Sequence, residues 1–268
     1  MNVLLEVHKL QKNFSYRTGL FLCRRQTFAA VKPVTFTLCK SETLAIIGEN
    51  GSGKSTLAKM LAGMIKPTSG EIMINNKRLY YGDFLYRSQR IRMILQDPST
   101  SLNISHRIGH ILDVPLRLNT SLDHNAREQR IHETLHNVGL RSDHAHYYPH
   151  MLASGQIQRI ALARALILQP QIIVADEALA SLDMSIRSQI INLMLELQQK
   201  YGISYIYVTQ HLDMIKHISD QVMVMHHGTV VEYDNTYKVL NSPLHNQTKR
   251  LINSHFNMRG FAATGCAN

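Results

Sequence analysis

The chain has no tryptophan, three cysteines, seven prolines and fourteen glycines among 268 residues, and only 18% of its residues are charged. So little glycine, proline and charge excludes collagen-like, disordered and coiled-coil sequences, while a 44% hydrophobic content can fill a core. No apolar run approaches the roughly 18–20 residues of a membrane span; the best stretch, Ile160–Leu168, is interrupted by Arg164. Glu6 and Lys9 stand where a signal peptide would need its apolar segment, so export is not expected. Cys23, Cys39 and Cys266 are odd in number and lack CxxC spacing, as befits reduced thiols in the cytosol.

A chain of this length is expected to form one large domain carrying a subdomain. Lys plus Arg outnumber Asp plus Glu by 29 to 19, a net charge of +10. That charge fits a polyanionic partner such as nucleotide, nucleic acid or anionic lipid, and fits a merely solvated basic surface as well. Arg17, Arg24, Arg25, Lys32 and Lys40 concentrate it near the start.

Short apolar runs alternate with helical patterns. Val3–Val7, Val34–Leu38, Thr43–Ile47, Ile91–Leu95, Ile172–Ala175, Ser204–Val208 and Gln221–Met225 read as strands. Lys54–Ala62 reads as a helix, as does Met184–Tyr201, bounded by Asp183 as N-cap and Gly202 after it. From Asp97 to Leu168 strand signals vanish and helical patterns take over (Ile108–Leu118, Asn125–Val138, Gln156–Leu168), which reads as a helical insertion in an α/β core. The tail after Phe256 is small and polar enough to be loosely ordered.

Gly48-Glu49-Asn50-Gly51-Ser52-Gly53-Lys54-Ser55-Thr56 follows a strand and opens a helix, the context that the phosphate-loop pattern requires. Glycines let backbone N–H groups face phosphates, Lys54 suits the β- and γ-phosphates, and the Ser55 hydroxyl suits Mg²⁺. The buried run Ile172–Ala175 ends in Asp176, suited to Mg²⁺, and Glu177, suited to polarising an attacking water. Together with the phosphate loop this pair implies hydrolysis. The cofactors expected of these residues are Mg²⁺ and a nucleotide.

The phosphate loop, Gln96, the run Tyr148–Arg159, Asp176-Glu177, Ala180–Asp183 and Thr209–His211 occur in an order that resembles the ATP-binding cassette (ABC) ATPases over roughly residues 3–255. Gln96–Asn103, Ser185–Leu193 and Ser242–Leu251 resemble the oligopeptide/dipeptide importer branch. The resemblance implies ATP as the nucleotide and an α/β fold: a P-loop NTPase core of the ABC type with an antiparallel β subdomain, a helical subdomain near 97–168, and a tail at 256–268. It implies that Gln96 senses Mg²⁺ and γ-phosphate, although Gln96 could merely cap the Asp97-Pro98 turn. His211 matches the switch histidine beside Glu177, although a lone histidine after a strand is usually structural. Ser154, Gly155, Gln156 and Asp183 match residues that reach the partner subunit's nucleotide, and Asp183 can cap its helix at the same time. Adenine would stack on Phe14, with Tyr16 as the other candidate; a core role for Phe14 is equally open.

One departure stands out. Where the family reads Ser-Gly-Gly-Gln, this chain reads Ala153-Ser154-Gly155-Gln156 and so lacks a hydroxyl worth about 1.5–3 kcal/mol on a phosphate. Cys266 stands alone, so no iron–sulfur cluster is expected, and His144, His146 and His150 lack the partners of a zinc site. The implied assembly is a second ABC ATPase subunit, in a homo- or heterodimer, with two membrane permeases and, indirectly, a periplasmic peptide-binding protein, on the cytoplasmic face of the inner membrane. A nucleic-acid ATPase is the alternative that the charge would suit. About 100 residues without sustained heptads separate Lys54 from Gly155, and there is one phosphate loop, so no nucleic-acid partner is expected. A binding-only regulatory subunit is a further alternative, against which Glu177 and His211 argue and for which Ala153 weighs slightly.

Overall fold

Cross-strand pairing carries the first strands well beyond their apolar runs. In the computed structural model, which describes residues 2–18, 24–97 and 101–263, β1 is Val3–Thr18 and β2 is Arg24–Cys39, each 16 residues long. Their antiparallel register sets Leu5 against Leu38, Val7 against Phe36, Leu10 against Val34 and Phe14 against Phe28. Val34, Phe36 and Leu38 are buried while Thr35 and Thr37 face outward, the alternation of a half-buried strand. Cys23, Cys266 and Pro98–Thr100 lie outside the described residues, as do the side chains of Arg17, Arg24 and Arg25.

The chain divides into two units, one of Met1–Tyr81 with Tyr207–Asn268 and one of Gly82–Ile206. In the first, β3 (Thr43–Ile47) leads into α1 (Lys54–Leu61), and β4 (Ser69–Ile74) and β5 (Lys77–Arg78) follow. β2, β1, β4 and β5 form, in that order, an antiparallel sheet.

In the second unit α2 (Phe84–Ser88) precedes β6 (Ile91–Ile94), and two helices follow, α3 (Ile108–Asn119) and α4 (His124–Asn137). Two short 3₁₀ turns, Ser142–His146 and Pro149–Met151, lead to α5 (Ser154–Leu166). Then come β7 (Ile172–Asp176), parallel to β6, and α6 (Met184–Tyr201), before β8 (Ser204–Val208). The helices are tied at named points. Arg127 Nε bonds Asp113 Oδ1 at 2.6 Å between α3 and α4, and Arg159 of α5 donates to Val138 O at 2.7 Å, satisfying a carbonyl at the end of α4. Asp183 Oδ1 accepts from Ile186 N at 3.0 Å, and Gly202 takes φ 66°, so α6 begins and ends where its capping residues dictate.

The first unit resumes with α7 (Leu212–Ile218), β9 (Gln221–His226), β10 (Thr229–Asn235), α8 (Thr236–Asn241) and α9 (Asn246–Ala263). β9 runs parallel to β3 and antiparallel to β10. Ala45 and Ile47 of β3 pack with Leu212, Ile215, Val222, Val224, Val239 and Ile252 in one buried cluster. Each large apolar side chain so buried contributes about 1.5–3 kcal/mol. Ile252 and the buried Thr248 anchor α9, and the helix propagates from them to Ala263, past Phe256, where the sequence reading begins its tail.

Glu232 on β10 pins the approach to α9, its carboxylate accepting from Leu244 N at 2.9 Å and His245 N at 3.1 Å. Partial burial pushes its pKa up, but these hydrogen bonds outweigh that and hold it below the usual carboxylate range. A folded-state pKa below the unfolded one stabilises the fold above the unfolded value and loses that contribution as pH falls. Glu232→Gln is therefore expected to lower the thermal midpoint at neutral pH and to lower it far less below about pH 4. Thermal melts of both proteins across that range check this; an equal deficit at both ends would contradict it.

Candidate active site in two halves

The nucleotide half is built on the turn between β3 and α1. Gly48 has φ 147°, and a Cβ there would lie 2.1 Å from Met225 O; at Gly53, with φ 102°, it would lie 2.4 Å from Ala30 O. Only glycine fits both places. Outside the turn, Gly228 N donates to Ser52 O at 2.9 Å and Lys32 N donates to Gly228 O at 2.7 Å. Lys54 is 4% exposed, and its Nζ donates to Gly48 O and Glu49 O, both at 2.8 Å. Ser52 Oγ is buried with no hydrogen-bond partner. A buried hydroxyl without a partner, beside a buried ammonium, at the start of a helix, suits an anion with several acceptor oxygens. Ser55 and Thr56 follow on the first turn of α1, half-buried, while Glu49 and Asn50 are exposed on the outer bend.

Gln210 Nε2 donates to Asn50 Oδ1 at 2.8 Å, so the segment after β8 touches this loop. Sequence reading assigned no role to Gln210; a polar residue beside a switch histidine was its only signal. Thr209 N bonds Ile46 O at 3.2 Å and its Oγ1 accepts from His211 N at 3.0 Å, which places the half-buried His211 at the start of α7. Phe14 is 41% exposed, so it is not a core aromatic, and the Lys12 ammonium sits 4.9 Å from its ring centroid. Tyr16 is likewise exposed.

The acidic half lies at the end of β7. Asp176 is 4% exposed. Glu177 turns the chain with φ 47°, a left-handed conformation that a non-glycine residue holds only under constraint and that recurs at functional sites. Its Oε2 accepts from Gln96 Nε2 at 3.0 Å across 81 residues of sequence. Gln96 thus addresses a carboxylate.

In the same unit Ala153 is the N-cap of α5, and Ser154, Gly155 and Gln156 form its first turn. Ala153 and Ser154 are exposed, and a Cβ at Gly155 would meet Ile186 Cγ2 at 2.9 Å. Asp183 is exposed and caps α6 as expected of its local role. Two half-buried arginines, Arg92 and Arg164, lie in the same unit. Arg164 on α5 donates to Ser101 O and Oγ, and burial lowers the pKa of both Arg92 and Arg164, the Arg164 charge adding to the effect on Arg92.

A phosphate loop, a buried Asp176 followed by a half-buried Glu177, and a helix opening on a glycine turn are the parts of an ATP-hydrolysing cassette. The chain belongs to the ABC transporter family, whose model matches residues 31–180. It is 68% identical over 256 residues to the putrescine export system ATP-binding protein SapF of Escherichia coli K12, covering 96% of this chain and 95% of that one. The same figures hold for the peptide transport system ATP-binding protein SapF of Shigella flexneri. The dipeptide transport ATP-binding protein DppF of Escherichia coli K12 is 39% identical over 94% of this chain and 76% of its own. Among solved structures, cbiO1 from Clostridium perfringens, part of the ABC transporter complex cbiONQ, matches with a TM-score of 0.76 at 27% identity over 98% and 99% of the two chains. A dimeric ATP-binding cassette bound to ADP and Pi matches with a TM-score of 0.75 at 26% identity over 87% and 99%. The chain is an ATP-binding, ATP-hydrolysing subunit of this class, and among the described residues no helix is long and apolar enough to cross a membrane.

Lys54→Ala is expected to weaken ATP binding at least about tenfold, through loss of a charge-assisted bond of about 1.5–3 kcal/mol, with far-UV circular dichroism unchanged. Calorimetric titration with nucleotide checks it; unaltered affinity would contradict the seat described for the phosphates.

Proposed function

We propose that this subunit powers a peptide-type importer from the cytoplasmic face of the inner membrane, with Mg-ATP as its fuel. The observation that carries the ATP-driven part of this reading is the loop in which the buried Lys54 ammonium and the unpartnered Ser52 hydroxyl share one glycine-built turn. Lys54 exchanges its two carbonyl partners for β- and γ-phosphate oxygens. Ser55, Asp176 and Gln96 would hold Mg²⁺, which neutralises charge on the phosphates and polarises them for attack. Glu177 orients and polarises the attacking water, and Gln96, already bonded to it, reports the loading of the site. His211 supports the γ-phosphate. Phe14 stacks on adenine.

Ser154, Gly155, Gln156 and Asp183 face the nucleotide of a second ATPase subunit, and two permeases complete the transporter, served indirectly by a periplasmic peptide-binding protein. Transported cargo is inferred to be a peptide, as the names of the Shigella SapF and of DppF state for those proteins; the name of the Escherichia coli K12 relative states putrescine export instead. Uptake and export of labelled peptide and putrescine in vesicles containing the assembled transporter separate the two.

Each composite site takes its phosphate loop from one subunit and its signature from the other. This chain offers Lys54, Asp176, Glu177 and His211 to its own nucleotide, and a signature without the serine hydroxyl to its partner's. We infer a heterodimer whose stronger site uses this chain's catalytic residues. Glu177→Gln is then expected to retain ATP and nearly abolish steady-state hydrolysis in the complex, while the matching change in the partner costs little. Ala153→Ser should strengthen the partner's site by about 1.5–3 kcal/mol. Phosphate release from each separate variant decides it: equal losses from the two glutamate variants, with no gain from Ala153→Ser, would contradict the asymmetry.

A further inference from the structure

The first turn of α5 is wired to a histidine that the reaction does not touch. Ala153 N–H donates to Gln156 Oε1 at 3.0 Å. A backbone N–H has fixed polarity, so the carboxamide has one orientation and its NH₂ faces His144 Nε2, 3.3 Å away. An NH₂ group can only donate, so His144 Nε2 is the acceptor and carries no proton. The neutral ring then holds its proton on Nδ1, which lies 3.0 Å from Arg141 O and 3.1 Å from Arg141 N; this tautomer donates to the carbonyl, whereas the one that accepts from Arg141 N–H would set two donors face to face at Gln156. The backbone reinforces the arrangement, because His144 N also donates to Arg141 O, at 3.1 Å. Tyr147 braces the ring, with centroids 5.1 Å apart. From Ala153 through Gln156 and His144 to Arg141 every bond donates in the same sense, an order in which each bond polarises the next.

The chemistry of position 153 makes this chain of bonds matter. With serine at an N-cap and glutamine three residues on, the two side chains cap the helix reciprocally. Alanine has no oxygen to offer, so half of that box is gone and Gln156 supplies the side-chain half that remains. His144 holds the far end of Gln156.

The geometry points to His144 as the positioning residue of the signature turn: it accepts from the Gln156 carboxamide and so fixes the side chain that this subunit presents to its partner's nucleotide. The inference rests on the reading of Ser154–Gln156 as the segment that meets that nucleotide, and it adds a residue outside the motif on which the motif depends.

The test uses the transporter complex purified through a tag on this chain, with steady-state hydrolysis measured against Mg-ATP concentration. His144→Leu and His144→Lys remove the acceptor, and each is expected to lower kcat/KM about three- to tenfold, the range of one lost neutral hydrogen bond. His144→Gln places a carbonyl oxygen near the former Nε2 and is expected to stay within about twofold of the parent. If His144→Gln is as impaired as His144→Leu, the acceptor role is overturned. If His144→Leu is unimpaired while Gln156→Ala loses activity, the positioning role is overturned and the signature reading stands. If Gln156→Ala is also unimpaired, both fall. A second readout is independent of turnover: ¹⁵N spectra of the His144 imidazole in the full chain should show the Nδ1–H tautomer, and an Nε2–H tautomer would overturn the proposed bonding.

Discussion

A buried ammonium inside a turn of left-handed backbone is the constraint on which the nucleotide half is built. Lys54 would be costly to bury without partners; the carbonyls of Gly48 and Glu49 provide them, and they converge because Gly48 and Gly53 adopt backbone conformations closed to residues with a side chain. Everything around the turn is arranged to keep that curl. β3 delivers it from the core, Gly228 grips Ser52, and Gln210 ties Asn50 to the segment carrying His211. The bonds that hold Lys54 are ones that phosphate oxygens can replace, so the seat is preorganised and charged ligands need only exchange partners.

The acidic half follows a different logic. Asp176 is fixed by burial at the end of a strand, whereas Glu177 is fixed by backbone strain and by Gln96. A left-handed glutamate costs on the order of 1–3 kcal/mol, which persists only where surrounding structure over-determines it. The turn at Ser154–Gln156 is fixed in a third way, by a run of hydrogen bonds from Ala153 N–H through the Gln156 carboxamide to His144. Glycine sterics, strand-end strain and bond polarity are thus three devices, each holding one turn of the backbone.

Sequence made the buried elements legible because their signals are local. Thr43–Ile47, Ser204–Val208 and Met184–Tyr201 fall where periodicity and caps put them, and the phosphate loop sits between its strand and helix as its spacing requires. The first two strands extend far beyond their apolar runs, since their outer halves are held by pairing with each other and not by an apolar pattern. β4, β5 and β10, and the helices after His211, carried too weak a pattern to be read at all. α5 begins at Ser154 and not at Gln156; alanine at its N-cap and glycine in its first turn hide that start, and Gly155 leaves room for Ile186 where a Cβ would lie 2.9 Å from its Cγ2. Of the site, residue types and order were legible. The bonds from Gln96 to Glu177, Gln210 to Asn50 and Gln156 to His144 join distant positions and required the fold.

The central claim is that this chain supplies a complete phosphate seat to one nucleotide and a signature turn to another. Hydrogen exchange on the isolated chain and on its transporter complex, with and without Mg-ATP, tests it most directly. The account predicts that nucleotide slows exchange over Gly48–Thr56 in both, and over Ser154–Gln156 only in the complex. No slowing over Gly48–Thr56, or equal slowing of Ser154–Gln156 in the isolated monomer, would contradict it.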